Sequence, residues 1–141
     1  MAPPRPDRIT PLWLAHHFPE DYDRCVRIGR THVCRRCLVL YPVAFAVLAA
    51  TAGWHPPTAL DVALVAGVPL PGIAEFVAEH LGALRYSPGR QVAGTVVVAI
   101  GGGRGLARYF TDHADLLFWA AVVVYGAVCA AAAWARQRRS V

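Results

Sequence analysis

An all-α integral membrane bundle of four transmembrane helices, with a short Cys/His-rich cytoplasmic N-terminal segment, is the fold class that this 141-residue chain predicts. Three observations point to it. The chain is 56% hydrophobic and 16% charged, against about 45–50% and about 25% in soluble proteins. After Cys37 come four apolar runs, each near the 17–25 residues needed to cross a hydrocarbon core about 30 Å thick. The cations, all fourteen of them Arg, are clustered rather than spread. A mean hydropathy of +0.39 excludes a disordered chain and argues against an ordinary water-soluble enzyme.

Residues 1–37 form the charged head, with seven Arg, three Cys and three His. Residues 1–7 read Met-Ala-Pro-Pro-Arg-Pro-Asp, which contains no apolar core, so no cleaved leader is expected. Ile9, Leu12, Trp13 and His16 fall on helical spacing and predict a short amphipathic helix over 9–17. It would rest on the membrane surface with Trp13 as its interfacial anchor.

Residues 38–141 form the bundle, with spans expected over 38–54, 59–78, 91–109 and 114–135. Only helices or closed barrels satisfy their backbone in lipid, and the runs lack strict alternation, so helices are predicted. Breaks at His55-Pro56-Pro57, Ser87-Pro88-Gly89 and Thr111-Asp112-His113 separate the runs. No internal repeat relates the halves. Five Arg from Arg24 to Arg36 precede the first span, Arg85 and Arg90 lie between the second and third, and Arg136, Arg138 and Arg139 follow the fourth. The positive-inside rule then puts both termini and the middle loop in the cytoplasm of a prokaryotic cell membrane. Tyr41, Tyr86 and Trp134 would lie at the inner interface, and Trp54 and Tyr109 at the outer one.

Ionisable groups within spans are costly and are paired or functional. At the outer side, Arg104 and Arg108 are expected to pair among Asp61, Asp112 and Asp115, mainly for structure. Toward the inner side, Glu75 and Glu79 are one helical turn apart and share a face. Their expected partners are Arg85, Arg90 or the head, with snorkelling into water the alternative for Glu79. Arg104 is fourteen residues from Arg90, about 20 Å along a helix, and so cannot reach them. Pro69 and Pro71 predict a kink in the second span. Gly101-Gly102-Gly103-Arg104-Gly105 lacks the Lys-Ser/Thr of a phosphate loop and reads instead as a close-packing stretch.

The head carries the chemically informative residues: His16, His17, Cys25, Cys34 and Cys37. A Cys-x-x-Cys pair presents two thiolates to one ion, and a further Cys and a His complete a tetrahedral set of the kind that binds zinc. A reducing cytoplasm favours a metal over a permanent disulfide. Arg35 and Arg36 would lower the thiol pKa values and offset thiolate charge. Iron fits less well than zinc. A redox dithiol is the second reading of these residues, and coincidental buried thiols the bland one. Glu75, Glu79, Arg36 and Arg90 are candidates to surround the site. His80, near the inner interface, is the one isolated His that could join it. Cys129, among Ala and Val, reads as an apolar filler.

The motifs resemble those of a family of small bacterial and archaeal membrane proteins, domain of unknown function 2085. His16, Pro19 and Glu20 match its Cys-His-Gln-x-Pro-Glu motif. Cys34, Arg36, Cys37 and Tyr41 match its Cys-x-Arg-Cys-x-Gly-x-Tyr motif. Pro71, with Glu75 and Glu79 in place of Asp and Gln, follows the third motif, and Ser87, Arg90 and Gly94 continue in register. Ala15 stands where the family has its first Cys, and Val39 where it has Gly. Cys25 or His17 would then supply the missing ligand. The resemblance, over roughly residues 15 to 108, implies a multi-span membrane protein with a Cys/His cluster and implies no reaction.

Three functions compete. The first is an uncharacterised membrane protein with a structural or binding Cys/His zinc site that fixes the head. The second is a membrane-embedded metal- or thiol-dependent enzyme or redox component acting on a lipid or quinone, with Glu75 or Glu79 as base or extra ligand. The third is an ion or metal transporter using the kinked second span. The lipid bilayer is the expected partner, with a second copy or another membrane protein as further candidates. Nucleic acid is not expected, because the Arg residues fall where anionic headgroups lie.

Overall fold

The computed structural model describes residues 10–17 and 19–139. The chain is mostly helical and divides into two compact units, Met1–Leu38 and Val39–Val141.

The first unit contains α1 (Leu12–Ala15), a 3₁₀ turn (Pro19–Arg24), and strands β1 (Cys25–Ile28) and β2 (Thr31–Cys34). The helix predicted over 9–17 is a single turn, and Ile9 lies outside the described residues, as do residues 1–7 of the leader expectation. Pro11 stands at its N-cap, and His16, at φ 54°, turns the chain left-handed at its end. The His16 N–H then closes on the Leu12 carbonyl. Trp13 is exposed on this turn.

The two strands form an antiparallel hairpin that the sequence reading did not anticipate. Gly29 at φ +60° followed by Arg30 makes its two-residue turn, a position where glycine avoids the Cβ clash. The register pairs Cys25 with Cys34 and Arg27 with His32. Alternation puts Cys25, His32 and Cys34 on one face, and all three are buried. His32 stacks on Tyr22 at 4.1 Å. Its N–H donates to the Thr10 hydroxyl at 2.9 Å, and the Thr10 N–H donates to the Tyr22 hydroxyl at 3.0 Å.

Helix α2 (Arg35–Thr51) follows β2 directly. The second unit continues with α3 (Thr58–Val62), a π turn (Ala63–Gly67), α4 (Leu70–His80), α5 (Pro88–Thr111) and α6 (Leu116–Arg139). Pro57 and Pro88 sit at helix starts, where a missing N–H costs nothing. Pro69 removes a bond from the helix interior, and the chain answers with the π turn just before it, where the Val68 N–H reaches the Ala63 carbonyl at 2.8 Å. The Tyr125 hydroxyl donates to the Ala66 carbonyl in that turn.

Two helical segments, Thr58–His80 and Leu116–Arg139, are long and apolar enough to cross a membrane. Helix α2 has 17 residues, and α5 is diluted by glycines and by Arg90, Arg104 and Arg108.

Glycines on α5 set the packing of this unit. A Cβ at Gly101 would collide with Pro69, one at Gly103 with the Ala44 carbonyl and Val47, and one at Gly105 would press on Phe118 at 3.3 Å. One helix therefore meets three neighbours through missing side chains. Gly102, by contrast, faces open space. A Cβ at Gly72 on α4 would run into the Gly94 carbonyl, so α4 and α5 also touch backbone to backbone.

Candidate metal centre and buried charge pairs

Three thiols of the head are drawn together by the hairpin and the helix that follows it. Cys25 and Cys34 are ladder partners. Cys37 lies in the first turn of α2, three residues beyond Cys34. Of the two adjacent histidines, His17 approaches the thiols, with Nε2 4.0 Å from Cys34 Sγ. His16 is exposed at the left-handed turn. The side chain of Glu20, part of the motif resemblance, lies outside the described residues. Arg35 braces the hairpin, donating to the carbonyls of Cys25 at 3.2 Å and Asp23 at 3.4 Å.

The thiols differ in acidity. Burial pushes Cys34 up, but hydrogen bonds from His17 and from the backbone and thiol of Cys37 outweigh it, and the net value falls to about 7. Its place at the start of α2 fits this, because a helix N-terminus favours a thiolate. Burial, the Cys34 charge and the hydrogen bond it gives to Cys34 raise Cys37 to about 11. Burial and the Cys34 charge also raise Cys25. One thiol is thus favoured as thiolate while its charge raises its two neighbours, and a divalent cation would offset that charge.

Among the described residues, no group of three or more His, Cys, Asp or Glu side chains stands at ligand geometry for a metal ion. In a tetrahedral zinc site a Cys sulfur and a His nitrogen lie about 3.6 Å apart, given bonds of about 2.3 and about 2.05 Å. The Cys34–His17 pair at 4.0 Å is about 0.4 Å wider than that edge. Three Cys and one His are donor types that zinc takes.

The second unit holds two charge sites of different character. In one, Arg104 grips Asp61 with both edges of its fork, Nε to Oδ1 at 2.6 Å and Nη2 to Oδ2 at 2.9 Å. Its Nη1 donates to the Thr51 carbonyl at 3.1 Å, and its guanidinium lies 5.2 Å from the Trp54 ring. Arg108 bridges Asp61 and Asp115. The acids that pair are thus Asp61 and Asp115, whereas Asp112 caps the Ala114 N–H. Asp61 is 3% exposed and Arg104 5% exposed, so both ions are satisfied inside the protein.

In the other site, Glu75 and Glu79 are both buried, and Glu75 meets Arg90, Oε1 to Nε, at 3.5 Å. Nearby on α5, Gln91 is the most enclosed large polar side chain at 1% exposure and accepts from the Tyr86 hydroxyl at 3.1 Å. The Thr95 hydroxyl donates to the Gln91 carbonyl at 2.6 Å. Sequence reading gives Tyr86 only as an interfacial aromatic and misses Gln91 and Thr95; a Gln at the start of an apolar run was the available signal. His80 turns to its own helix, bonding the Phe76 carbonyl at 2.8 Å and stacking on the Phe76 ring at 3.9 Å. Cys129 lines an apolar groove with Tyr125 and Phe118.

No family model matches this chain, and no curated protein or solved structure is found similar to it.

Proposed function

We propose that this is a multi-pass membrane protein whose cytoplasmic head binds zinc through Cys25, Cys34, Cys37 and His17, in a structural or binding role. The observation that carries the reading is the convergence of three thiols and an imidazole. The hairpin sets Cys25 opposite Cys34, α2 brings Cys37 back one turn later, and His17 closes at 4.0 Å. The resemblance to the domain of unknown function 2085 family supports it through Cys34, Arg36 and Cys37. Bound zinc would supply charge neutralisation and a four-way crosslink for a head in which Ala15, Cys25 and Cys34 are the buried apolar residues among those described.

Membrane insertion through four spans is supported by the apolar surface of the helical unit. Phe45, Leu70, Phe110, Leu116, Val123, Val124 and Trp134 are all exposed, and large exposed apolar area is the mark of lipid or partner contact. With both ends of the bundle charged and no polar group between Thr95 and Arg104 on α5, about 14 Å of apolar helix separates the two charge sites. That layer speaks against a transport path.

Redox chemistry at the same thiols is the second reading. Cys34 at a helix start, with its pKa near 7, and Cys37 three residues on, near 11, have the acidity split of an attacking and a resolving thiol. Cobalt titration of the reduced, detergent-solubilised protein separates the two. A tetrahedral thiolate–cobalt spectrum that zinc erases supports the metal reading. Absence of that spectrum, together with reversible Cys34–Cys37 disulfide formation, supports the dithiol.

A further inference from the structure

The second unit contains a lateral groove of about 530 Å³ between α4 and α5, with Glu75 and Arg90 in its wall. Its other walls are apolar: Pro71, Ala93, Gly94 and Val97 line it, and Gly72 sits where the two helices touch. The missing side chain of Gly94 makes room for the Glu75 carboxylate, since a Cβ there would stand 3.2 Å from Glu75 Oε2. The groove therefore combines an open, largely apolar trough with a carboxylate and a guanidinium side by side.

This charge pair is unlike the one around Asp61. At 3.5 Å the Glu75–Arg90 contact is wider than the 2.7–2.9 Å of a close charge-assisted bond. Arg90 also donates through Nη2 to the Arg85 carbonyl near the start of α5, and its side chain is 37% exposed. A ligand that carries an anion and a cation about four bonds apart, as a phosphodiester and an ammonium joined by a two-carbon arm, could engage both partners without stranding either charge.

We propose that this groove binds a bilayer phospholipid whose headgroup carries a phosphodiester and a primary ammonium. The phosphate accepts from Arg90, the ammonium donates to Glu75, and one acyl chain lies along Gly94 and Val97. A primary ammonium brings three donors to the carboxylate. A trimethylammonium brings none, so ethanolamine headgroups are preferred over choline. An anionic headgroup without an ammonium would set its charge against Glu75. The proposal rests on the membrane reading above but not on the metal, because every residue it uses lies in the helical unit.

The test uses the full chain in bilayers of equal parts phosphatidylethanolamine, phosphatidylcholine and phosphatidylglycerol, with retained lipid read by native mass spectrometry. Ethanolamine lipid should be enriched about tenfold over choline lipid, the worth of one charge-assisted hydrogen bond. Glu75→Gln should bring the two near parity, Arg90→Gln should lose both, and Glu79→Gln should keep the preference. Equal retention of all three lipids by the wild-type protein, or enrichment of phosphatidylglycerol, overturns the proposal whatever the variants do. Alkaline carbonate treatment of the membranes separates the two levels. Release of the chain overturns the membrane reading and this proposal together, whereas retention without lipid preference overturns this proposal alone.

Discussion

The two units hold themselves together by opposite means. The helical unit has bidentate ion pairs, glycine contacts and long helices, and each of its Arg104 and Asp61 charges is enclosed by partners. Among its described residues the head has a one-turn α-helix, a 3₁₀ turn, a four-residue ladder and a hydrogen-bonded Thr10–Tyr22–His32 set. Small units of this kind cannot bury enough apolar surface to be stable on packing alone and recruit metals or disulfides instead. The difference teaches where each unit is vulnerable: the first through a single buried charge, the second through its thiols.

The largest effect should come from breaking the ion pair. Asp61→Asn would leave Arg104 and Arg108 facing each other with half their partner removed, and should cost about 3–5 kcal/mol. Reversible denaturation in detergent measures it, and a loss below about 1 kcal/mol would show that water or lipid already screens the cluster. Packing comes next. Gly103→Val should cost about 1–3 kcal/mol by driving α5 off Ala44 and Val47. Gly102→Ala, with nothing near, should be neutral or stabilise by up to about 1 kcal/mol. Similar losses for both would mean that the three-sided glycine packing is wrong.

The head responds to smaller changes. Gly29→Val forces a β-branched residue to φ +60°, costs about 1–2 kcal/mol, and loosens Cys25 from Cys34. Zinc affinity should fall about tenfold, while thermal unfolding of the helical unit should not shift. The mildest probe is pH. In reduced, metal-free protein, the Cys34 alkylation rate should rise through pH about 7, and Cys37 should stay slow because its thiol is held to about 11. An inflection for Cys34 near the ordinary value of about 8.5 would remove its His17 and helix-start contacts from the account.

Much of this was legible in residues that act locally or by depth. Pro57, Pro88 and Asp112 mark helix boundaries because they act through their own backbone. The Arg104–Asp61 pairing follows from where each falls along its span. Glu75 pairs with Arg90 for the same reason. The hairpin is poorly legible because its strands are only four residues each, so the β-branched Val26, Ile28, Thr31 and Val33 around Gly29-Arg30 make a weak alternation signal. The short amphipathic helix expected over 9–17 covers Leu12–Ala15, because Pro11 stands at its N-cap and His16 turns left-handed at its end. The choice between His16 and His17 was not legible either, since it depends on that turn's geometry.

Zinc content of the detergent-purified protein tests the central claim most directly, measured beside Cys34→Ser, Cys37→Ser and Cys129→Ser. The account predicts near-stoichiometric zinc in the wild-type and Cys129→Ser proteins and its loss in the other two. Equal metal content in all four proteins, or none in any, would contradict it.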